Sequence, residues 1–566
     1  RPLLSPQVLD AEHPLPFLRN REQYVLVRFA GKRGGAGLIP TTQLPKFFRL
    51  TIDGVQKLAL TAPLVAHFAP LLFGERRVRE TAIVRVTRNA DISVRDIMDG
   101  CDADLRAVME RLLRRRLEPV RAQVQGRISD EMRALVRDLL GLPKRQLFVT
   151  STPTDLSFVL TMPGEFDLTG LTCHDVPPAK NVALQKGDYF AYLAQHDLLL
   201  ALPYQSINPF VDLLYEAADD PDVVSIKITL YRLAGSRIAA ALAYAAEHGK
   251  QVQCLLELRA RFDEQSNIDY SRMLEDAGCD ILYGLTKYKV HTKLCLITRR
   301  CPGGICYYTQ VGTGNYNEKT AEQYTDLMLL TSDPAIGRDA AKTFDRLARG
   351  ETVGETEALW LAPEGYKPQL LAHIEAQTRL GPKGYIGIKV NAMNDADIMA
   401  QLVRASAAGT EVELFVRGIC CLRPGVPGRT EHISVRSIIG RYLEHERIFV
   451  FGRGEAQEVF IGSGDLLERN TMRRIEAFTA VTDPNARAEV LEVLSAMRRD
   501  NRQAWIMQPD GSYLRPEPAG EPFVSQTYLH TYFAGRTVGK AAPSAPPRPQ
   551  KKLPWWRRLW IWLWNN

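Results

Sequence analysis

His291-Thr-Lys293, the apolar run Leu294-Cys-Leu-Ile297, a turn, and Val311-Gly-Thr-Gly-Asn315 form a series of features that occurs twice in this chain. The second copy reads His445-Glu-Arg447, Ile448-Phe-Val-Phe451, a turn, and Ile461-Gly-Ser-Gly-Asp465. A histidine, a cation two residues on, an apolar strand and a G-[ST]-G-[ND] turn recur in order, which marks an internal duplication. The residues before each copy repeat as well. Asp222–Tyr231 reads as a strand, Ile238–His248 as a helix closed by Gly249, and Val252–Leu258 as a second strand. Tyr385–Val390, Ile398–Ala407 with Gly409, and Val412–Val416 repeat that phrase. Strand, helix, strand predicts βαβ units and a mainly parallel sheet in each module.

Two modules of this kind can each offer one histidine to a shared cleft. Alternation along a strand predicts that the histidine and cation of H-x-K and H-x-R share one face. There the cation would hold a phosphoryl oxygen while the imidazole attacks phosphorus or moves a proton. Histidine suits this because its ordinary pKa, about 6.5, leaves a usable neutral fraction near pH 7. The G-[ST]-G-[ND] turns are expected to offer backbone N–H groups and a hydroxyl to an anion, with Asn315 or Asp465 orienting an imidazole. Cations crowd the ends of the same strands: Lys227, Arg232, Arg259 and Arg261 in the first module, Lys389, Arg417, Arg423, Arg436 and Arg441 in the second, and Arg469, Arg473 and Arg474 beyond its glycine turn. As a group they point to a phosphate-rich ligand.

The rest of the composition sets that crowding in relief. Of 72 Lys and Arg, seven lie from Arg536 onward with no acidic residue among them, leaving 65 basic against 65 acidic residues in the body. The body is neutral, so a polyanion site must come from local clustering. The nine cysteines are scattered without a CxxC, which reads as reduced, intracellular cysteine. Before residue 200, strand-like Tyr24–Phe29 and Ala82–Val86 mix with helical runs at Asp104–Leu113 and at Asp130–Leu140, the latter stopped by Gly141. The expected fold is therefore α/β multidomain: an α+β accessory domain over 1–200, catalytic modules over 201–355 and 356–510, and an extension over 511–566.

The paired H-x-K and G-[ST]-G-[ND] elements resemble the phospholipase D superfamily, though the aspartate its hydrolases carry shortly after H-x-K is missing here: Lys293 is followed by Leu-Cys-Leu-Ile-Thr. Longer strings resemble one branch, the bacterial polyphosphate kinases. They are Ile226-Lys-Ile-Thr-Leu-Tyr-Arg232, Leu256-Glu-Leu-Arg-Ala-Arg-Phe-Asp-Glu264, Gly312-Thr-Gly-Asn-Tyr-Asn317 with Tyr324-Thr-Asp326, Val416-Arg-Gly-Ile-Cys-Cys-Leu-Arg-Pro-Gly425 and Arg441-Tyr-Leu-Glu-His-Glu-Arg447. The resemblance implies two tandem phospholipase D-like modules and reversible transfer of the ATP γ-phosphate to polyphosphate. It implies a phosphohistidine at His291 and an acid or base at His445 beside the nucleotide phosphates. Tyr324 and Arg417 match its nucleotide-contacting positions, and Arg232 and Arg261 its paired arginines near the phosphates and magnesium. Cations bind phosphate more naturally than metal, so Mg²⁺ is expected to arrive with ATP. Lys293, Asn315, Asp326 and Arg447 are expected to support the site, Asp326 by polarising a histidine or by capping a strand end.

The competing expectations are a phospholipase D-like phosphodiesterase and a non-catalytic polyphosphate-binding protein. The missing aspartate and the excess of arginine weigh against the first. The family's N-terminal helical domain, which supplies an asparagine to the adenine pocket, is expected to lie before Arg1. The expected partners are ATP, ADP, inorganic polyphosphate and a second copy of the chain, with no nucleic acid. The last residues, Lys551-Lys-Leu-Pro-Trp-Trp-Arg-Arg-Leu-Trp-Ile-Trp-Leu-Trp564, are too short an apolar run to span a bilayer. Tryptophan among Lys and Arg suits the headgroup interface, so residues 551–566 are expected to touch a membrane surface peripherally. The expected location is cytoplasmic, at the inner face where the tail engages it.

Overall fold

The computed structural model describes residues 3–536 except 32–34, 89–117, 173–175, 181–183, 185–186, 232–235, 258–263, 286 and 518–519. The helix expected at Asp104–Leu113, the cations Arg232, Arg259 and Arg261, and the Trp-rich tail lie outside the described residues. The chain divides into two compact units, Arg1–Val176 and Pro177–Asn566.

The first unit is built on a six-stranded sheet in which Gln23–Phe29 and Val78–Arg88 pair antiparallel at the centre. Both strands are buried on two faces: Val25, Val27 and Ile83 pack on one side, and on the other Leu26, Val84, Val86 and Val124 meet Met132 and Val136 of the helix Asp130–Leu140. That helix starts where Ser129 Oγ accepts the Met132 N–H at 3.1 Å. It stops at Gly141, whose φ of 63° is left-handed and free of strain for glycine.

The second unit holds both repeats, each on its own α/β sheet. In the first, Asp280–Tyr283, Gln251–Leu256 and Val223–Leu230 run parallel. Leu294–Cys301, Gly304–Gly312, Tyr324–Thr331 and Leu198–Leu202 then add antiparallel. In the second, Ile433–Ile438, Glu411–Val416 and Tyr385–Val390 are parallel, while Ile448–Phe451, Glu458–Gly462 and Ala477–Ala480 are antiparallel. The sheets are thus mixed rather than mainly parallel. A parallel neighbour needs a long crossover, and Leu294–Cys301 and Ile448–Phe451 each return through a short turn that allows only a hairpin with the next strand. At the first of these turns Cys301 and Cys306 are joined in a disulfide, their Cα atoms 6.0 Å apart, which corrects the expectation of uniformly reduced cysteines.

An apolar core continuous through both modules fixes their relation. Leu199, Leu327 and Leu329 from the first pack with Val450, Ile461, Val490 and Phe533 from the second. Two short parallel pairings cross the seam. Lys289–Val290 lies beside Arg474–Ile475, and Tyr324–Thr331 pairs through Tyr324 and Thr325 with Leu443–Glu444. Each pairing stands immediately before one of the two repeated histidines. The duplication in sequence becomes an approximate twofold arrangement whose centre is the seam.

Candidate active site

Each histidine is held by a carboxylate from the other module. His291 donates from Nδ1 to Glu476 Oε2 at 2.9 Å, and His445 donates from Nδ1 to Asp326, 2.9 and 3.0 Å from its two oxygens. Asp326 and Glu476 are repeat counterparts, each standing fourteen residues after the first glycine of its turn, Gly312 or Gly462. Their supports repeat too. Thr313 Oγ1 donates to Asp326 Oδ1 at 2.6 Å and Ser463 Oγ to Glu476 Oε2 at 2.5 Å. Asn470 Nδ2 adds a third donor to Glu476, at 2.6 Å on Oε1. Donors converge on both carboxyl groups, so each histidine carries its proton on Nδ1 and keeps a lone pair on Nε2.

The second glycine of each turn is explained by this packing. A Cβ at position 314 would stand 2.2 Å from Asp326 Oδ2, and one at 464 would crowd Tyr366, Phe478 and the Glu476 stem. The backbone N–H groups at the start of the turns are spent within the fold: Gly312 and Thr313 donate to Lys293 and Leu327, and Ser463 to Ala477. At these positions the turn lets a carboxylate strand come close rather than offering N–H groups to an anion.

Charge makes the two imidazoles unequal. Burial, then the cations Lys293, Arg474 and Arg447, push His291 well below the ordinary histidine pKa, so it is neutral at pH 7. Burial also lowers His445, but there the Asp326 carboxylate opposes the shift. Against burial, His445, Thr313 and Arg447 hold Asp326 below the usual carboxylate range. Burial raises Glu476, with Lys293 and Arg474 opposing. Tyr231 stands edge-on to His291, ring centroids 4.9 Å apart, and Tyr324 leans over His445 at 5.3 Å.

The cations expected at the site divide sharply. Lys293 is fully buried beside His291; its Nζ donates to the His291 carbonyl and lies 5.4 Å from the Tyr231 ring, and burial brings its pKa down to about 7. Arg474 is half-buried on the His291 side, its Nη1 3.8 Å from Glu476 Oε1. Arg417 is half-buried and donates from Nε to Asn391 Oδ1 at 3.1 Å, while Asn391 Nδ2 donates to the His445 carbonyl at 3.1 Å. Burial, then the neighbouring Arg447, lowers the Arg417 pKa, with Asp465 and Tyr324 opposing.

Others turn inward. Arg447 forks onto Asp465 with two bonds of 3.2 Å and donates to the His445 and Thr313 carbonyls, so it braces the seam. Asp465 is thereby taken by Arg447 and the Asn391 N–H and orients neither imidazole. Asn315 forms no bond to a histidine, and its buried Oδ1 has no hydrogen-bond partner among the described residues. Lys389 is buried 3.8 and 3.7 Å from the carboxylates Glu444 and Glu446, and Arg436 caps the Met497 and Asp500 carbonyls. These two are structural rather than phosphate-binding. Glu476, Asn391 and Asn470 were not legible as site residues. The signal for Glu476 was its place in the repeat, opposite Asp326.

Comparison with known proteins identifies the family. Sequence models for the polyphosphate kinase middle domain, C-terminal domain 1 and C-terminal domain 2 match residues 1–162, 188–352 and 359–526. A polyphosphate kinase of Rhodopirellula baltica is 40% identical over 87% of this chain, which spans 59% of that relative's length. One of Erythrobacter litoralis is 36% identical over 97% of this chain and 79% of its own, and one of Pseudomonas aeruginosa 38% identical over 92% and 77%. The crystal structure of polyphosphate kinase from Porphyromonas gingivalis superposes with a TM-score of 0.76 at 29% identity, covering 94% of this chain and 81% of that one. With its middle domain and both C-terminal domains matched, the chain belongs to the polyphosphate kinase family.

Proposed function

We propose that this site moves the γ-phosphoryl group of ATP onto the end of a polyphosphate chain, and back, with His291 carrying it in between. The observation that bears most weight is the bond from His291 Nδ1 to Glu476, which leaves Nε2 as the nucleophilic atom. In the first half, the Nε2 lone pair attacks the γ-phosphorus and the bond to the β-phosphate oxygen breaks, releasing ADP. The ring becomes cationic while Nδ1 keeps its proton, and the Glu476 carboxylate balances that charge. In the second half, a terminal polyphosphate oxygen attacks the phosphorus, the P–N bond breaks, and Nε2 regains its lone pair. One phosphoanhydride is broken and one is made, so both directions are accessible. Positioning and charge stabilisation carry such transfers. His445, neutral with Nε2 as acceptor, takes the proton of an incoming terminal phosphate and returns it in reverse.

Tyr324 and Arg417 stand on the His445 side, in keeping with contact to the nucleotide. Arg232 and Arg261, outside the described residues, are read as phosphate ligands. Among the described residues no group of three or more His, Cys, Asp or Glu is arranged to cage a metal. Mg²⁺ is read as entering on the ATP phosphates, because arginines such as Arg232 and Arg261 bind phosphate oxygens and not the metal itself.

A covalent carrier predicts exchange of label between ADP and ATP without polyphosphate. Direct transfer from ATP to polyphosphate gives none. The pH dependence has a definite sign. His291 is already neutral, whereas Lys293, at about 7, must be protonated to meet the phosphoryl oxygens. Exchange at subsaturating ATP is expected to decline as pH rises above about 7, the opposite of a nucleophile that must first lose a proton. A rate that climbs through that range would overturn this role for Lys293.

A further inference from the structure

The twofold arrangement breaks at the main chain of the two histidines. On the His445 side, Thr325 Oγ1 donates to Glu446 Oε2 and accepts the His445 N–H at 3.1 Å; the same N–H lies 3.1 Å from Glu446 Oε2. Thr325 directly precedes Asp326, which holds the His445 ring, so adjacent residues of one module grip adjacent residues of the other. On the His291 side the counterparts of Thr325 and Glu446 are Ile475 and Thr292. Ile475 has no polar side chain, and Thr292 Oγ1 is buried with no hydrogen-bond partner among the described residues. There the seam is closed by the His291 N–H donating to the Ile475 carbonyl at 2.9 Å.

We infer that Thr325 and Glu446 are positioning residues that set the backbone of His445 so that its imidazole meets Asp326 in a single tautomer, a device the His291 side lacks. The inference rests on His445 acting at its Nε2, as in the reading above. Several bonds close the latch. The His445 carbonyl accepts from Asn391 Nδ2 at 3.1 Å and Arg447 Nη1 at 2.7 Å, and Lys389 Nζ donates to the Glu446 carbonyl at 3.3 Å. Beneath it, Glu444 and Glu446 are 3% and 2% exposed and share Lys389 as cation. Two buried carboxylates against one ammonium leave a charge that burial does not tolerate. As a carboxylate, Glu444 has no hydrogen-bond partner for Oε2 among the described residues. A proton on Glu444 answers both, donating to Glu446, and burial with the neighbouring Glu446 pushes Glu444 well above the usual carboxylate range.

Thr325→Val keeps the shape and removes the hydroxyl; Thr325→Ser restores it. Histidine-selective ¹⁵N NMR, with His445 assigned through a His445→Gln variant, reads the tautomer whether or not His291 is phosphorylated. The expected result is a single Nδ1–H tautomer in the parent chain and in Thr325→Val a mixture. With it comes a kcat lower by roughly 10- to 100-fold, the scale of a small misplacement of a reacting group, at near-unchanged KM for ATP. Thr325→Ser is expected to recover both. Should Thr325→Val not fold, Glu446→Gln is read in the same way. An unchanged tautomer and kcat in the folded variant, or a loss that Thr325→Ser fails to recover, would overturn the inference. A parent chain that forms no phosphohistidine yet shows the tautomer change sinks the His291 reading and leaves the latch standing.

Discussion

Replacing His291 with alanine is expected to stop ADP–ATP exchange and polyphosphate synthesis together, by roughly 10⁴-fold or more, the scale seen when a covalent nucleophile is removed. The fold should survive, because the main-chain bond from His291 to Ile475 that closes the seam does not need the ring. The substitution does leave Glu476 with one donor fewer. Ser463 and Asn470 still satisfy it, so the cost in stability is small beside the loss of activity. Retained exchange in a folded His291→Ala chain would remove the nucleophile from this position.

The second large effect falls across the seam. Glu476→Gln changes a residue of the second module and is expected to cripple the histidine of the first. An amide can keep the hydrogen bond to Nδ1, since Asn470, whose Oδ1 is unpartnered among the described residues, can turn to accommodate it. What it cannot supply is the negative charge that balances a phosphorylated, cationic ring among Lys293, Arg474 and Arg447. Labelling of His291 in rapid-quench experiments is expected to slow by up to about 10⁴-fold, the drop found when a triad carboxylate is made an amide. Asp326→Asn is expected to behave differently: turnover falls, but label still reaches His291 because its own carboxylate partner is intact. Labelling at the parent rate in Glu476→Gln would contradict the crossed pairing.

How much of this could be read from the chain depends on which interactions are local. The duplication was legible because H-x-[KR], the apolar strand and the glycine turn lie close together in each copy. Both histidines followed from it, whereas Asp326 was a candidate only through its place beside Tyr324 in a string that resembles the family. Glu476 stayed hidden because its partner is 185 residues away, and repeat symmetry does not reveal that the carboxylates cross between modules. Cations were the least legible. Lys389 and Arg436 occupy strand ends as Arg417 does, yet one is buried against two glutamates and the other caps a helix end. A sequence shows that a cation is present, and only packing shows whether its charge is already met. The mixed sheets were misjudged for a related reason: the βαβ halves carry a strong signal, and the hairpins that complete each sheet carry a weak one.

The account turns on one atom, His291 Nε2. After brief reaction with γ-labelled ATP and quenching in base, the chain should hold acid-labile, base-stable label in the peptide containing His291. Isomer analysis of the digest should show the Nε2-phosphohistidine, because Nδ1 is committed to Glu476. Label on Nδ1, label at His445 instead, or label that survives acid would contradict it.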